Sequence, residues 1–328
     1  MRRSASLVAL CLLGLLAGAC GGANRKPQPA AQSASSTTVA PLFEELPESL
    51  RVKREIKVGS DIEYAPIEFF KTNTEEVQGL DYDLAQAMGA KLGVKMTFIN
   101  NTDFAGMIGA LQSGRFDIVM SAMNDTAERR GNGVDFIDYF SAGSSILVQK
   151  GNPKAITRLD DLCGQTVAVQ KGTVQDTDIL TPLEPLCQKT KTTQKTTTTQ
   201  RRSGSTTSPT SGSSTRVNKP IKVLRFEKDA DALQQVKNGR AVADVEDFPV
   251  AAYNAQTSGG GADFDVVPGQ IGRVGFYGIA VKSSDPRLRD LLQKALRAII
   301  DDGTYDRILA KWNLTAGALK TAAINGGI

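Results

Sequence analysis

From residue 56 onward the chain changes hydrophobic rhythm at short intervals. Ile56 to Val58, Met96 to Ile99 and Phe116 to Met120 are apolar runs of strand length. Between the first two, Leu84, Ala87, Met88, Lys91 and Leu92 recur at helical intervals, with Asp81 and Asp83 near the start and Gly93 just past the end. Asp103 is placed to cap a second helix, whose stripe of Phe104, Met107, Ile108 and Leu111 stops at Gly114. Strand, helix, strand, helix, strand predicts a mostly parallel sheet with helices on both faces. Ligands of such sheets sit at the carboxyl ends of the strands.

The same alternation resumes further on. TVAVQ reads as a strand followed by KGT at 171–173, then IKVLRF, DADALQQVKNGR and AVADVEDFPVAAY read as strand, helix, strand and a turn into another helix. Two more apolar segments, SSILVQK at 144–150 and VGFYGIAV at 274–281, suit strands that cross between two α/β lobes. Asp285 and Pro286 match the N-cap and first position of a helix carrying Leu288, Leu291, Leu292, Ala295 and Ile299 on one face, with Gly303 after it.

Composition changes this picture at both ends of the argument. With 328 residues, 41% hydrophobic and 23% charged, the chain is long enough for two domains. At the start, Arg2 and Arg3 precede an apolar run from Leu7 to Leu16 that is too short to span a bilayer and reads as an export signal over 1–20. Its AGAC ending resembles a lipoprotein processing site, which would lipidate Cys20 and anchor the chain to the outer face of the cell membrane. Residues 21–50, rich at first in Gly, Ala, Pro, Ser and Thr, read as a flexible tether.

A Thr/Ser/Lys-rich tract over 188–219 is expected to be disordered and to interrupt the second lobe. It carries seven basic residues and no acidic one; without these and Arg2 and Arg3, thirty basic residues face 35 acidic ones. The formal charge of +4 therefore becomes about −5, which removes any argument for nucleic-acid binding by the folded part. Export to an oxidising compartment leaves Cys163 and Cys187 as an expected disulfide, closing a loop of about 24 residues worth on the order of 3 kcal/mol. There is no histidine, which excludes Ser-His-Asp triads and His-containing zinc sites. No cofactor and no metal are expected.

IKVGS, GLDYDLAQAMGAKLG, FAGMIGALQSG and DIVMSAMNDTAER, taken together, resemble the first lobe of bacterial extracellular solute-binding proteins of the amino-acid-binding family of ABC importers. The resemblance implies a two-lobed α/β fold of the type II periplasmic-binding-protein kind, with two crossover strands and a ligand cleft between the lobes. It divides the chain into a first lobe of 51–147 and 276–328 and a second lobe of 148–275. Residues 171–173 and the Asp-x-Pro at 247–249 match family segments that face the ligand from the second lobe.

By resemblance, Arg129 is the clamp for the carboxylate of a free amino acid, which a guanidinium can grip through two parallel hydrogen bonds. Backbone N–H groups around Ser121, Ala122, Met123 and Asn124 would complete that anion site, Asn124 standing where the family usually has a hydroxyl residue. Asp247 matches the aspartate that takes the α-ammonium. Asp61 and Tyr64 are first-lobe candidates for a polar or cationic side chain, Phe104 for the pocket wall, Thr173 for a hydroxyl contact and Val174 for a backbone one. The reading is thus a monomeric, lipid-anchored protein that captures a polar amino acid and presents it to an importer's membrane permease. A periplasmic dehydratase-like enzyme on the same fold and an extracellular sensor component are the alternatives; arginine, lysine and glutamine are not separated.

Overall fold

The computed structural model describes residues 40–188 and 219–327. The export signal with Cys20, the tether up to residue 39 and the tract interior at 189–218 lie outside them. The expected tether nonetheless ends earlier than residue 50. Leu42, Leu46 and Leu50 are four residues apart, a helical spacing, and Leu46 and Leu50 are buried in the first-lobe core. The Leu42 N–H also donates to the Lys91 carbonyl at 3.0 Å, so the folded part already includes this segment.

Helix α1 (Glu48–Lys53) leads into β1 (Glu55–Ser60), followed by a small antiparallel sheet of β2 (Glu63–Tyr64), β3 (Glu68–Phe70) and β4 (Val77–Gln78). Then come α2 (Leu80–Leu92), β5 (Lys95–Asn100), α3 (Met107–Gln112), β6 (Ile118–Val119) and α4 (Ala127–Gly131). The parallel pairing that the alternation predicts is present, and β1 lies between β5 and β6. Leu80, Leu84, Met88 and Leu92 of α2 are fully buried, and Gly93 ends the helix in the left-handed conformation. Asp103 does not cap α3. The helix starts at Met107, and Asp103 Oδ1 instead accepts from the Gly106 N–H at 2.9 Å in the preceding turn.

β7 (Val134–Gln149) leaves this lobe as a single strand of 16 residues, about 50 Å long at 3.4 Å per residue. The second lobe holds β8 (Thr166–Gln170), a π-helical turn at Gln175–Leu180, α5 (Thr181–Gln188), β9 (Lys222–Phe226), α6 (Asp229–Lys237), β10 (Ala243–Asp247), α7 (Phe248–Thr257) and β11 (Phe264–Val266). β12 (Ile271–Lys282) then returns to the first lobe, which α8 (Pro286–Asp301) and α9 (Thr304–Lys311) complete. Asp285 caps α8 by accepting from the Leu288 N–H at 3.0 Å.

The first half of β7 pairs antiparallel with β12, and its second half pairs with β10 and β11. The strand order β5-β1-β6-β12-β7-β10-β8-β9 therefore runs through both lobes, which share β7 and β12. The β7–β12 register shifts between Ile271 and Gly275 and again between Tyr277 and Gly278.

Cys163 and Cys187 form the expected disulfide, with Cα atoms 5.2 Å apart. Cys187 is buried in the second-lobe core beside Val167, Val169 and Leu183. The Lys219 N–H donates to the Cys187 carbonyl at 3.2 Å, so the two ends of the tract meet at this bridge. Among the described residues, no helix is long and apolar enough to cross a membrane.

Candidate functional site

The carboxyl ends of β1 and β6 deliver two loops to one face of the first lobe, and buried acids fix both. Ser121 Oγ accepts from the Asp61 N–H at 2.9 Å and donates to Glu68 Oε1 at 2.8 Å. Asp81 Oδ2 accepts from the Ala122 N–H at 3.0 Å and from the Tyr139 hydroxyl at 2.8 Å. Ala122 takes a positive φ of 45°, a conformation this anchor holds in place. The loop then enters α4, where the Thr126 side chain accepts from the Arg129 N–H at 3.2 Å.

The second lobe meets this face with the ends of β8 and β10. Asp61 Oδ2 accepts from Gln170 Nε2 at 2.6 Å, and the Tyr64 hydroxyl donates to Asp247 Oδ2 at 3.1 Å. Asp247 Oδ1 accepts from Gln175 Nε2 at 2.8 Å, and Lys228 Nζ pairs with Glu63 at 2.6 Å. Gly172 carries φ +77°, and a Cβ there would stand 2.7 Å from that of Ala105, so only glycine permits this approach of the lobes. Between them lies a narrow cavity of about 10 Å³, room for no more than about one water while these cross-lobe contacts are made.

Arg129 reaches into the seam from the first lobe. Its Nη1 donates to the Asn124 carbonyl at 2.8 Å and its Nη2 to the Gly172 carbonyl at 3.0 Å, while its guanidinium lies 5.5 Å from the Phe104 ring centre. A guanidinium has five N–H donors, so these two bonds leave others for an anion. Burial lowers its pKa to about 10, against the pull of Asp178 and Asp247. Asp247 is in turn pushed up to about 6 by burial, despite its hydrogen bonds and the pull of Arg129. Guanidinium and carboxylate act on each other across the seam without pairing directly.

The other acids of the cleft share one fate. Burial drives Asp61 up to about 7, with Glu63 adding to the rise and Gln170 and Lys228 opposing it. Glu68 is raised well above its ordinary value by burial and by Asp81, and burial raises Asp81 to about 7. A cation entering beside Asp61 and Glu68 would restore their charge.

Of the residues singled out in the sequence, Asp61, Tyr64, Phe104, Ser121, Ala122, Asn124, Thr173 and Asp247 line the cavity. Arg129 sits behind Phe104 and Asn124. The Ala122 N–H is already committed to Asp81, Met123 is buried in the first-lobe core, and Val174 lines a separate pocket with Asp178 and Arg273. The Asn124 amide rests against Gly275, where a Cβ would come within 2.7 Å of its Nδ2. Glu68, Gln170 and Gln175 also line the cavity. The two glutamines were not singled out; the signal for them was a polar residue closing the apolar strand TVAVQ and another just past the KGT turn.

Comparison with known proteins agrees with this architecture. The arginine-binding protein ArgT of Corynebacterium glutamicum is 30% identical over 283 residues, covering 85% of this chain and 81% of that protein. An ancestral arginine-binding protein solved bound to arginine superposes with a TM-score of 0.63 at 34% identity, over 79% of this chain and 97% of that one. The ancestral amino acid-binding protein AncCDT-1, described as a precursor of cyclohexadienyl dehydratase, gives a TM-score of 0.64 at 34% identity, over 80% and 97% of the two chains. Residues 56–315 match a single family along their whole length. The chain belongs to the bacterial extracellular solute-binding proteins of family 3.

Proposed function

We propose that this protein captures a cationic amino acid, arginine foremost, in the cleft between its lobes and delivers it to the membrane permease of an ABC importer. The observation that carries this reading is Arg129, which makes no ion pair among the described residues and lies within coulombic reach of Asp247 of the other lobe, beside a cavity lined by Asp247, Asp61 and Glu68. A zwitterion supplies the missing partners. Its carboxylate takes the free donors of Arg129, its ammonium takes Asp247 in place of the Tyr64 hydroxyl, and a cationic side chain lies against Asp61 and Glu68. Ser121, Ala122, Asn124, Phe104 and Thr173 shape the walls. The solved and curated relatives named for arginine support the choice of side chain. Lipidation of Cys20 would keep the monomer at the outer membrane face, within reach of the permease.

A dehydratase-like activity is the second reading, favoured by Asp61 and Glu68, whose carboxyl groups burial shifts upward in the cleft, and by the likeness to AncCDT-1. It predicts that a bound amino acid is consumed, whereas a binding protein returns it unchanged.

The test is a thermal-shift screen of the mature chain against the twenty amino acids and ornithine, followed by mass spectrometry of the recovered ligand. Arginine at about 100 times Kd should stabilise the fold by roughly 2.7 kcal/mol. Arg129→Ala should weaken binding by about 2–5 kcal/mol, since it leaves a carboxylate buried without its partner. A protein that responds to no cationic amino acid would sink the proposal.

A further inference from the structure

The second lobe holds a group of acids outside the cleft that amino-acid capture does not use. Asp244 and Glu246 alternate with Val245 along β10 and so share one face of the strand. Asp229, the first residue of α6, stands over that face. One carboxylate oxygen from each of the three lies within 4.8 Å of the other two, and the residues are 4%, 0% and 1% exposed for Asp229, Asp244 and Glu246.

What sets the group apart is how little satisfies it. Glu246 Oε2 accepts from Asn254 Nδ2 at 3.1 Å. Glu246 Oε1 and both oxygens of Asp244 have no hydrogen-bond partner among the described residues, nor does the buried hydroxyl of Ser145, which faces Glu246 in the β7–β10 register. Asp244 is flanked in register by Leu147 and Ala168, both part of an apolar cluster. No lysine or arginine pairs with any of the three acids among the described residues. Carboxylates this close in an apolar shell must share a positive charge or carry protons.

We infer that Asp229, Asp244 and Glu246 bind one divalent hard cation, with Ca²⁺ the ion their donor set suits best. Oxygen-only donors select a hard ion. One oxygen of each acid lies within 4.8 Å of the other two, close enough for one ion to bridge them, and a buried, irregular set of carboxylates suits Ca²⁺ better than Mg²⁺, which demands near-ideal octahedral geometry and gives up its waters reluctantly. Ser145, opposite Glu246 on β7, carries a further buried oxygen without a partner among the described residues. The ion would tie the start of α6 to β7 and to the strand that ends in Asp247, stiffening the second-lobe wall of the cleft from behind. An extracellular protein meets Ca²⁺ at concentrations that suit weak sites of this kind.

The experiment uses the mature protein, stripped with EDTA and dialysed to equilibrium against ⁴⁵Ca²⁺ up to about 5 mM, above the 10⁻⁴–10⁻³ M range of extracellular modules. The expected result is one Ca²⁺ per chain, a Tm that rises with Ca²⁺ and falls with EDTA, weaker binding of Mg²⁺, and loss of these responses in the D244N/E246Q double variant. Wild-type protein that binds no Ca²⁺ and keeps its Tm in EDTA overturns the inference, leaving protons as what neutralises the cluster. A double variant that still binds one Ca²⁺ equally well overturns the assignment to these residues. Should that variant fail to fold, the wild-type dialysis alone decides. No amino acid is present in this experiment, so its outcome is separate from that of the amino-acid screen.

Discussion

The two lobes present their halves of the cleft in different ways. The first lobe holds its face from within, because Ser121, Ala122 and Tyr139 are fixed by hydrogen bonds to Glu68 and Asp81, all in the same lobe. The second lobe holds its polar groups from within and across the cleft alike: Asp247 accepts from Gln175 in its own lobe and from Tyr64 in the other, and Gln170 donates both to the Glu227 carbonyl and to Asp61. Its stiffness comes from elsewhere, from the Cys163–Cys187 bridge. The buried acids differ too. Glu68 and Asp81 each accept at least one hydrogen bond, whereas the side chain of Asp244 has no partner among the described residues. The 121–124 loop is thus held by its own lobe alone, whereas the groups at the ends of β8 and β10 divide their hydrogen bonds between the two lobes.

Removing the bridge should have the largest effect. Cys163→Ser with Cys187→Ser is expected to cost about 3 kcal/mol of stability, as a loop of this length implies. Hydrogen exchange should show the loss in β8, α5 and β9 while α2 and β5 keep their protection. Equal loosening of both lobes would break the comparison. Next comes Asp81→Leu, which strips the acceptor from the Ala122 N–H and the Tyr139 hydroxyl. Urea unfolding should register a loss of about 1–3 kcal/mol, and arginine binding should weaken as the 121–124 loop loosens. No change in either would mean that the first lobe does not rely on this anchor.

The smallest effect is that of pH. Asp61, flanked by Gln170, Glu63, Lys228, Glu68 and Asp229, ionises only near pH 7 in the folded protein, against an ordinary value of 3.8. Its folded pKa is raised, so the ligand-free protein loses this contribution to stability as pH rises from about 4 to about 7. A cationic ligand favours the ionised form, so its affinity should move the opposite way. Calorimetry at pH 8, 7 and 6 should show binding weakening on acidification by at most about 1.4 kcal/mol per unit for one proton. Affinity that is flat over this range would remove Asp61 from the site.

Elements set by local spacing were readable in advance. Helix α2 with its Gly93 stop and α8 with its Asp285 cap follow from neighbours in the chain, and the alternation of elements gave the parallel pairing of β1, though not its place between β5 and β6. Features that depend on distant approach were not. Gln170 and Gln175 reach the cavity only because β8 and the following turn are laid against the first lobe. Arg129 stands out by resemblance to the family, yet its engagement of the Gly172 carbonyl requires that the second lobe be in place. Asp244 and Glu246 lie within the segment read as a strand, and nothing in that pattern says that their face is closed off by α6. The early end of the tether was missed for a simpler reason: the run of Leu42, Leu46 and Leu50 is short and follows a stretch of low complexity.

The shared strands have a kinetic consequence. The breaks in β7–β12 register fall between Ile271 and Gly275 and beside Tyr277, in the stretch where these strands carry the chain from one lobe to the other. Bending there strains a ladder that is already irregular, so it breaks little regular pairing. The work of separating the lobes then falls on the contacts across the cleft: Asp61 with Gln170, Tyr64 with Asp247, Glu63 with Lys228, and Arg129 with the Gly172 carbonyl. The dwell time of a captured solute is accordingly written in the rim of the cleft, and single substitutions there can retune release while leaving the spine of the molecule as it is.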